Sequence, residues 1–363
     1  MSELGKPALA GDRPVLVTGG AGFIGSNLAD RLAQEGHQVL IYDSLARPGV
    51  EANLRWLQSR HPHRITACIA DLRDDAALQD AASKAQAVFH LAAQVAVTTS
   101  LEDPGSDFDI NLRASFVLLE ALRRRGGGVP LIFASTNKVY GDLQDVALAL
   151  EGEAYVPVDP MVRQNGIGEA RPLDFHTPYG CSKGAADQYV LDYGRSFGVP
   201  TAVLRMSCIY GQRQMGTEDQ GWVAHFMIRA LRGETISIFG DGCQVRDLLH
   251  VDDAVQAYLA VWRGIDKLQG GGAINLGGGP ANAVSLRQVL RAIGETVGAP
   301  VDIRYADWRA GDQRYYVSDI RRARHVLGLA APLSWQDGLV RLAEWLRQAR
   351  GLTGEAVTAA ALR

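Results

Sequence analysis

A glycine-rich turn near the N-terminus constrains the fold of this chain more than any other feature of the sequence. Residues 14–19, PVLVTG, form an apolar run typical of a buried strand, and the segment that follows has the apolar spacing of a helix. Between the two, Gly19, Gly22 and Gly25 stand in a GxxGxxG pattern. Glycines at such a turn let a pyrophosphate approach the backbone at the N-terminus of the helix. The turn therefore predicts a dinucleotide-binding strand–turn–helix unit.

The alternation of strand and helix continues beyond this unit. Further apolar, β-branched runs occur at 38–43, 64–70, 87–92, 130–135 and 201–206. Helix-length segments separate most of these runs, for example residues 107–125, and their apolar residues recur with the helical period. Such repetition predicts a parallel sheet covered by helices on both faces, which is the Rossmann-type doubly wound α/β fold.

The pattern loosens after about residue 200, where longer loops alternate with helical segments such as 285–297 and 335–347. We interpret this change as the start of a smaller C-terminal region that binds the substrate. The chain is predicted to divide into four segments: a flexible tail at 1–12, a dinucleotide-binding Rossmann domain at 13–200, a mainly substrate-binding region at 201–350 with some segments returning to the Rossmann sheet, and a C-terminal tail at 351–363.

Composition excludes several classes of function. The formal net charge is −3 over 363 residues, which gives no excess of positive charge for a nucleic-acid surface. The four cysteines lie far apart without a CxxC pair, so they favour a reducing compartment over a disulfide framework, and no matching set of histidine or cysteine ligands indicates a metal site. No 18-residue apolar run and no N-terminal signal sequence occurs. We therefore expect a cytoplasmic protein that binds neither nucleic acid nor a membrane.

An acidic residue at the end of the second predicted strand selects the dinucleotide. Asp43 ends the run QVLIYD, where a carboxylate can accept hydrogen bonds from both hydroxyls of the adenosine ribose. The same negative charge repels the 2′-phosphate of NADP. NAD is therefore the predicted cofactor.

Tyr179 and Lys183 are the predicted source of the chemistry. They stand four residues apart in TPYGCSKGAADQY, which reads as a helix, so both side chains project from one face. A lysine ammonium and an oxidised nicotinamide ring beside the phenol lower its pKa from about 10 and let it remove a proton from a substrate hydroxyl. Lys183 can also hold the cofactor's ribose hydroxyls. Thr136, directly after the predicted strand at 130–135, delivers a hydroxyl to the same place.

Together, the glycine turn, the strand-end threonine and the tyrosine–lysine pair resemble the extended short-chain dehydrogenase/reductase superfamily, whose members rework nucleotide-activated sugars. The resemblance implies that Thr136 hydrogen-bonds the reacting oxygen, with Tyr179 as the base and Lys183 as its electrostatic partner. It also implies a set of cofactor contacts, from Gly19, Gly22, Phe23, Ile24, Gly25, Asp43, Ser44, Asp71, Leu72, Leu91, Ala92, Ala93, Gln94, Asn111, Tyr179 and Lys183. For the substrate it implies contacts from Asn137, His176, Gln220, Trp222, Arg246 and Arg309.

Two of these residues resemble the arginines that clamp the substrate diphosphate in the superfamily. Arg246 lies in GCQVRDLLHVDD and Arg309 in DWRAGDQR. A planar guanidinium suits the binding of phosphate oxygens in pairs. The alternative for either residue alone is a surface salt bridge.

The two residues after Thr136 separate two branches of the superfamily. Members that dehydrate sugars carry an Asp–Glu pair there, which supplies the acid and the base for loss of water across C5–C6. This chain has Asn137 and Lys138 instead, and neither side chain easily plays both parts. The resemblance therefore implies oxidation and re-reduction without elimination, and we expect an epimerase rather than a dehydratase.

Longer blocks resemble the CDP-paratose 2-epimerase (CDP-tyvelose epimerase) family. They are STNKVYGD, LDFHTPYGCSKGAADQYVLDYGRSFG, TEDQGWVAHF, QVRDLLH and GDQRYYVSDI, within a resemblance that covers about residues 14–348. The resemblance implies inversion at C2 of a CDP-hexose, either CDP-paratose/CDP-tyvelose or CDP-glucose/CDP-mannose, through transient oxidation to a 2-keto sugar. It departs at Met206 and Cys208, where His and Ser are expected near the nicotinamide or the sugar. This departure leaves the natural sugar and nucleotide open.

Several alternatives stay open at this level. A 4-epimerase acting on UDP- or CDP-hexoses would use the same three catalytic residues, and the residues alone do not choose C2 over C4. A non-catalytic NAD-sensing protein could share the fold. The segment 142–176 either shapes the sugar pocket or is a surface insertion. The resemblance also implies a homo-oligomer formed through helices such as 107–125 and 179–196, although an apolar helix face can equally belong to the core.

Overall fold

The structure of this protein is a computed structural model, and it describes residues 13–268, 272–309 and 312–352. The tail predicted at 1–12 lies outside the described residues, and so does the tail predicted at 351–363 except for its first two residues. In chain order the strands are β1 (Val15–Thr18), β2 (Val39–Asp43), β3 (Ile65–Ile69), β4 (Ala87–His90), β5 (Leu131–Thr136), β6 (Leu148–Glu151), β7 (Ala154–Pro157), β8 (Thr201–Met206), β9 (Cys208–Tyr210), β10 (Ile236–Phe239), β11 (Val245–His250), β12 (Gly272–Leu276), β13 (Ala283–Ser285), β14 (Ile303–Ala306) and β15 (Tyr315–Tyr316). The α-helices are α1 (Phe23–Gln34), α2 (Val50–Arg60), α3 (Asp75–Lys84), α4 (Val97–Glu102), α5 (Pro104–Phe108), α6 (Ala114–Arg125), α7 (Pro160–Asn165), α8 (Thr177–Phe197), α9 (Trp222–Leu231), α10 (Val251–Arg263), α11 (Leu286–Val297), α12 (Arg321–Leu327) and α13 (Trp335–Arg350).

Seven parallel strands form the central sheet, in the order β12–β8–β5–β4–β1–β2–β3. The chain builds the sheet outward from β1 to β3 and then in the opposite direction from β4, so the order reverses between β1 and β4. In open sheets of this kind, ligands bind outside the carboxyl ends of the strands at that point of reversal. Helices cover both faces of the sheet, and the predicted Rossmann-type fold is confirmed.

The core lies in two layers because successive residues of a buried strand point to opposite faces of the sheet. In β1, Val15 and Val17 pack into the apolar cluster under α1, α2 and α10, whereas Leu16 packs into the cluster under α3, α6 and α8. Each buried aliphatic side chain stabilises the fold by about 1.5–3 kcal/mol relative to an exposed one. These layers hold the carboxyl ends of β1, β2, β4 and β5 at one edge of the sheet.

The part of the chain after residue 200 is shared between the central sheet and a second layer. β8 and β12 belong to the central sheet, whereas β9, β11, β13 and β15 form a smaller sheet and β10 pairs with β14. Helices α9, α11 and α13 enclose a third apolar cluster that includes Met227, Leu290 and Leu342. The division of the chain into domains at residue 200 stays a prediction.

The segment 142–176 folds as the β6–β7 hairpin and α7 and packs on the second layer. The hydroxyl of Tyr155 donates a hydrogen bond to Asp241 (2.6 Å), and Ile167 forms a parallel bridge with Ser318. Its apolar side chains also join clusters with the strands of the second layer. The segment is therefore part of this layer rather than a loose surface insertion.

Candidate active site

The cofactor cradle lies where the turn after β1 meets the loop after β4. Gly19 has a φ of +69°, and a Cβ on it would lie 2.7 Å from the backbone nitrogen of Ala92. A Cβ on Gly25 would lie 2.1 Å from the carbonyl oxygen of Gly19. Helix α1 begins directly after Gly22, which has no side chain to cover the first N–H groups of the helix. These N–H groups and the missing side chains form a surface that fits the pyrophosphate of a dinucleotide.

Asp43 borders this cradle at the end of β2. Its Oδ2 accepts a hydrogen bond from the N–H of Ala21 (3.0 Å), and its Oδ1 accepts one from the N–H of Leu45 (2.9 Å). Burial raises the pKa of Asp43, and these backbone donors oppose that effect. Each carboxylate oxygen has a further lone pair, so the side chain can also accept from the ribose hydroxyls of NAD. Ser44, the next residue, is exposed.

Asn111 fixes the loop after β4. Its amide exchanges two hydrogen bonds with the backbone of Gln94 (2.9 and 3.0 Å), the last of the predicted cofactor residues at 91–94. Asn111 stands in a π-turn, Asp109–Arg113, that interrupts the helix predicted at 107–125. Single π-turns inside helices are frequent at functional sites. The geometry gives Asn111 a positioning role, and its direct contact with the cofactor stays a prediction.

Other predicted cofactor residues lie at the edges of the cradle. Asp71 follows β3 and forms an ion pair with Arg73 (2.8 Å), while the neighbouring Leu72 is buried. Phe23 and Ile24 form the first turn of α1 and pack partly against the core. These four predicted residues therefore surround the strand ends next to the glycine turn.

Thr136, Tyr179 and Lys183 meet at the carboxyl end of β5. Thr136 ends the strand, and its hydroxyl lies near the phenol of Tyr179 in the first turn of α8. The N–H of Tyr179 donates to the hydroxyl of Ser100 (3.2 Å), which fixes the start of this helix. Lys183 lies one turn further along α8, is buried, and has its ammonium 4.1 Å from the ring centre of Phe133. The arrangement presents a hydroxyl and a phenol side by side, with a lysine next to them.

Burial dominates the proton affinities of these groups. It raises the pKa of Tyr179 to about 12, although the neighbouring Thr136 hydroxyl opposes this effect. It lowers the pKa of Lys183 to about 7, against the raising effects of Asp187 and Asp107. The expectation that Lys183 lowers the pKa of Tyr179 therefore does not hold for the protein's own groups, because removal of the phenol from water outweighs the effect of its neighbours.

A buried ion pair anchors α8 below the catalytic residues. Arg205 of β8 donates two hydrogen bonds, both 2.9 Å, to Asp187, which lies one turn after Lys183. Ser135, next to Thr136, donates a third hydrogen bond to the same carboxylate (2.7 Å). The sequence analysis missed this pair, although the spacing of four residues from Lys183 already placed Asp187 on the catalytic face of the helix.

A cavity of about 420 Å³ opens beside the catalytic residues. It brings together seven of the residues predicted for catalysis or substrate binding: Thr136, Asn137, Tyr179, Gln220, Trp222, Arg246 and Arg309. Its lining also includes Lys138, which the sequence analysis considered only as a replacement for an acid. The volume lies within the range of small-molecule sites in proteins.

Two arginines supply positive charge to the cavity. Arg246 is 7% exposed and donates a hydrogen bond to Asp312 (2.7 Å). Arg309 lies over the ring of Phe239, 3.7 Å from its centre, and forms an ion pair with Asp219 (3.4 Å). A guanidinium group carries five N–H donors, so both arginines can bind phosphate oxygens in addition to these partners.

Asn137 forms a hydrogen bond with Thr136, the predicted catalytic threonine. Its Oδ1 accepts a hydrogen bond from the hydroxyl of Thr136 (3.3 Å), and its Nδ2 donates to Oε1 of Gln313 (3.1 Å). Gln313 in turn donates to the carbonyl oxygen of Gly141. These contacts orient the Thr136 hydroxyl, and the substrate contact of Asn137 stays a prediction. Nothing in the sequence placed Gln313 beside it.

The two residues that depart from the expected pattern lie in different surroundings. Cys208 lines the cavity and accepts a hydrogen bond from the indole N–H of Trp222 (3.4 Å). Met206 accepts a hydrogen bond from Tyr258 (3.2 Å) and packs against the core cluster. Of the two, Cys208 is therefore the one whose side chain the cavity exposes to a ligand.

His176 is a predicted substrate residue that the structure places outside the lining of this cavity. Its ring pairs with Asp142 (3.0 Å) and Asp174 (3.2 Å), and these carboxylates raise its pKa. The predicted substrate contact is not supported by this geometry. Residues 142–144 and 146–148 line a neighbouring cavity of about 550 Å³, which shares Arg309 and Asp312 with the first.

Among the residues that the structure describes, no group of three or more His, Cys, Asp or Glu side chains could hold a metal ion. Within the same ranges, no helix is long and apolar enough to cross a bilayer. All four cysteines are free.

Comparison with known proteins identifies the family. The model of the NAD dependent epimerase/dehydratase family matches residues 15–277. The chain is 38% identical over 349 residues to CDP-paratose 2-epimerase of Salmonella typhi, covering 91% of this chain and 98% of that relative. Its fold is similar to that of UDP-glucose 4-epimerase from Thermotoga maritima, solved with UDP-glucose (TM-score 0.78, 31% identity, 93% of this chain and 99% of the other). It is similar too to UDP-glucose 4-epimerase from Thermus thermophilus, solved with NAD (TM-score 0.77, 32% identity, the same coverage). The chain therefore belongs to the NAD-dependent epimerase/dehydratase family and is an enzyme whose cofactor is NAD.

Proposed function

We propose that this enzyme inverts C2 of a CDP-hexose, either CDP-paratose/CDP-tyvelose or CDP-glucose/CDP-mannose, through a transient 2-keto sugar. One observation carries the proposal: Thr136, Tyr179 and two arginines share one cavity, in which Asn137 and Lys138 follow the threonine. The choice of C2 and of CDP is supported by the 38% identity to a CDP-paratose 2-epimerase.

The cradle fits NAD, because the glycine turn leaves room for the pyrophosphate and Asp43 presents a carboxylate for the adenosine ribose. When bound, NAD supplies the acceptor and donor of the hydride that leaves the sugar carbon and returns to it. Lys183 would hold the ribose next to the nicotinamide. Its burial keeps this lysine away from competing water.

Tyr179 is the proposed proton carrier. As a phenolate it takes the proton of the reacting hydroxyl when the carbonyl forms, and it returns that proton when the alcohol is restored. Thr136 donates a hydrogen bond to the same oxygen and orients it. Burial raises the pKa of Tyr179, and the positive charge of the oxidised cofactor would favour its phenolate and so offset that rise. Between the two steps the ketone turns within the cavity and presents its opposite face.

Elimination of water is not part of the proposed reaction. It requires an acid and a base beside C5 and C6 of the sugar, and the two positions after Thr136 hold an amide and an amine. Both ends of the Asn137 amide already bond to Thr136 and Gln313. The oxidised sugar therefore returns to the alcohol without loss of water.

The remaining parts of the proposal concern the substrate diphosphate, the location and the assembly. Arg246 and Arg309 are proposed to bind the diphosphate through charge-assisted hydrogen bonds. A cytoplasmic location is proposed because all four cysteines are free, as is usual in a reducing compartment. A homo-oligomer is proposed through the face of α6 and α8 that carries Phe116, Tyr189 and Phe197, which are 41%, 45% and 52% exposed.

Proton NMR of the purified protein with CDP-paratose and no added cofactor tests the proposed function. We expect the anomeric resonance of the 2-epimer to appear, because NAD stays bound through the catalytic cycle. The same measurement with CDP-glucose tests the second substrate pair. Folded, NAD-loaded protein that converts neither substrate would overturn the proposal.

A 4-epimerase acting on a UDP- or CDP-hexose is the second candidate. It is favoured by the 31% and 32% identity to solved UDP-glucose 4-epimerases over almost the whole chain. Thr136, Tyr179 and Lys183 could serve this reaction as well. Conversion of UDP-glucose with inversion at C4 would support this candidate against the first.

A further inference from the structure

Lys138 lines the cavity together with Thr136 and one of the arginines. Its backbone N–H donates a hydrogen bond to the hydroxyl oxygen of Thr136 (3.2 Å), within the short turn Asn137–Tyr140 that follows β5. Its side chain lines the same cavity as Tyr179 and Arg246. This side chain has no role in the proton transfer proposed above.

The charges that face Lys138 come from several elements. Burial, with repulsion from Arg246 of β11, lowers the pKa of Lys138 to about 8. Asp312, Asp142 and Cys208 oppose this effect, and Asp312 is itself hydrogen-bonded to Arg246 (2.7 Å). An anion between Lys138 and Arg246 would relieve their repulsion, and a phosphate group has oxygens for both cations.

The chemistry of the sugar decides which phosphate can come so near to the catalytic residues. C2 is bonded directly to the anomeric carbon that carries the diphosphate, whereas C4 lies across the ring from it. An enzyme that acts at C2 therefore brings the sugar-proximal phosphate close to its threonine and tyrosine. An enzyme that acts at C4 keeps this phosphate a ring's width away. A cation two residues after Thr136 suits the first arrangement.

We propose that Lys138 binds the sugar-proximal phosphate of the substrate and thereby places C2, rather than C4, at Thr136 and Tyr179. This inference rests on the proposed function and adds a specificity-determining residue to it. Arg246 and Arg309 hold the diphosphate as a whole, whereas Lys138 fixes its sugar end.

Calorimetric titration with CDP and with CMP isolates this contact, because only CDP carries the second phosphate. The protein is the full chain loaded with NAD, as wild type and as Lys138→Met. Lys84→Met is the matched control, since Lys84 is an exposed helical lysine paired with Asp80. We expect Lys138→Met to weaken CDP binding about 10- to 100-fold, as for loss of a charged hydrogen bond, and to leave CMP binding unchanged. The control variant should bind both nucleotides as the wild type does.

Three results would overturn the inference. The first is equal affinity for CDP, and also for the CDP-hexose, in the wild type and in Lys138→Met. The second is an equal loss of affinity for CDP and CMP, which would indicate a general change of the cavity. The third is unchanged CDP affinity with weaker binding of the CDP-hexose, which would assign Lys138 to a sugar hydroxyl. A wild type that binds neither nucleotide would instead contradict the proposed function itself. Lys138→Gln replaces the methionine variant if the latter does not retain NAD.

Discussion

The cofactor cradle and the substrate cavity lie side by side at one edge of the central sheet, but the chain builds them in different ways. The cradle consists of turns that directly follow parallel strands, and its hydrogen bond between Ala21 and Asp43 spans 22 positions. The cavity depends on contacts between distant segments, and its hydrogen bond between Asn137 and Gln313 spans 176 positions. Local sequence therefore determines the cradle, whereas the packing of the second layer determines the cavity.

The two regions also differ in how they select a ligand. The cradle offers backbone N–H groups, the space left by glycines and one carboxylate at Asp43. The cavity offers the cationic side chains of Lys138, Arg246 and Arg309. We therefore expect cofactor binding to depend mainly on shape and hydrogen bonding, and substrate binding to depend on these cations and on the carboxylates of Glu218, Asp219 and Asp312 that line the same cavity. Tyr179 belongs to both regions, because its role requires a cofactor on one side and a sugar on the other.

The largest expected effect is a loss of turnover on substitution of Tyr179. Tyr179→Phe should lower turnover about 100- to 10,000-fold, the usual contribution of a general acid–base group, while NAD content stays at the wild-type level. Turnover is measured by NMR of the product, and NAD content by its release on denaturation. Tyr189→Phe, at an exposed position of the same helix, is the control and should be fully active. Full activity of Tyr179→Phe would show that another group carries the proton.

The next largest expected effect is a loss of stability when the buried ion pair between Arg205 and Asp187 is broken. Arg205→Met leaves the carboxylate of Asp187 buried without its cation and should lower the free energy of unfolding by about 3–5 kcal/mol. Arg163→Met breaks an exposed pair with Glu151 and should change the free energy of unfolding far less, because water screens this pair. Denaturant unfolding of both variants measures the difference. Equal losses would mean that the buried pair does not anchor α8.

A substitution confined to the cradle tests whether the two regions bind independently. Gly25→Ala places a Cβ against the Gly19 carbonyl oxygen and should weaken NAD binding about 10- to 100-fold through about 1–3 kcal/mol of overpacking. CDP affinity should change little. Gly105→Ala is the control, because its nearest contact would be an ordinary 3.7 Å from Asp103. Titration with each ligand measures both affinities, and a parallel loss of CDP binding would contradict the independence of the two regions.

The smallest expected effect is a pH dependence of the affinity for CDP. The pKa of Lys138 is lowered to about 8, and binding of a phosphate requires its charged form. CDP affinity should therefore be complete below pH 8 and fall as the pH rises through that value, by about tenfold one unit above it. CMP affinity should not follow this decline, and neither should CDP affinity in Lys138→Met. A decline that persists in Lys138→Met would assign the titration to another group that faces the cavity, such as Cys208.

The difference between the cradle and the cavity also explains how much of the structure the sequence could predict. Where the apolar periodicity is strong, the sequence predicts strands and helices to within a few residues. The run at 201–206 coincides with β8. Helix α11 begins where Ser285 and Gln288 form a capping box. The cradle followed from the same local signals, since Gly19 and Asp43 each stand at a strand end. The π-turn at Asp109–Arg113 escaped prediction because one extra residue hardly alters the spacing of apolar side chains.

The cavity could be predicted only in part, because its side chains come from distant segments. The family resemblance named seven of the 23 residues that line it, and it also named His176, which lies outside this lining and pairs with Asp142 and Asp174. The packing of Gln313 against Asn137 left no local signal in the sequence. The sequence also could not predict the pKa values of Tyr179 and Lys183, since burial is the main cause of their shifts.

Epimerisation of a CDP-hexose in D2O tests the central claim most directly. If C2 is oxidised directly and the same hydrogen returns to its opposite face, the product will be the 2-epimer and will carry protium at C2. NMR of the product reads both the position of inversion and the isotope. Full deuterium incorporation at C2 would contradict direct oxidation and indicate enolisation next to another ketone, and inversion at C4 would contradict the assignment of the reacting carbon.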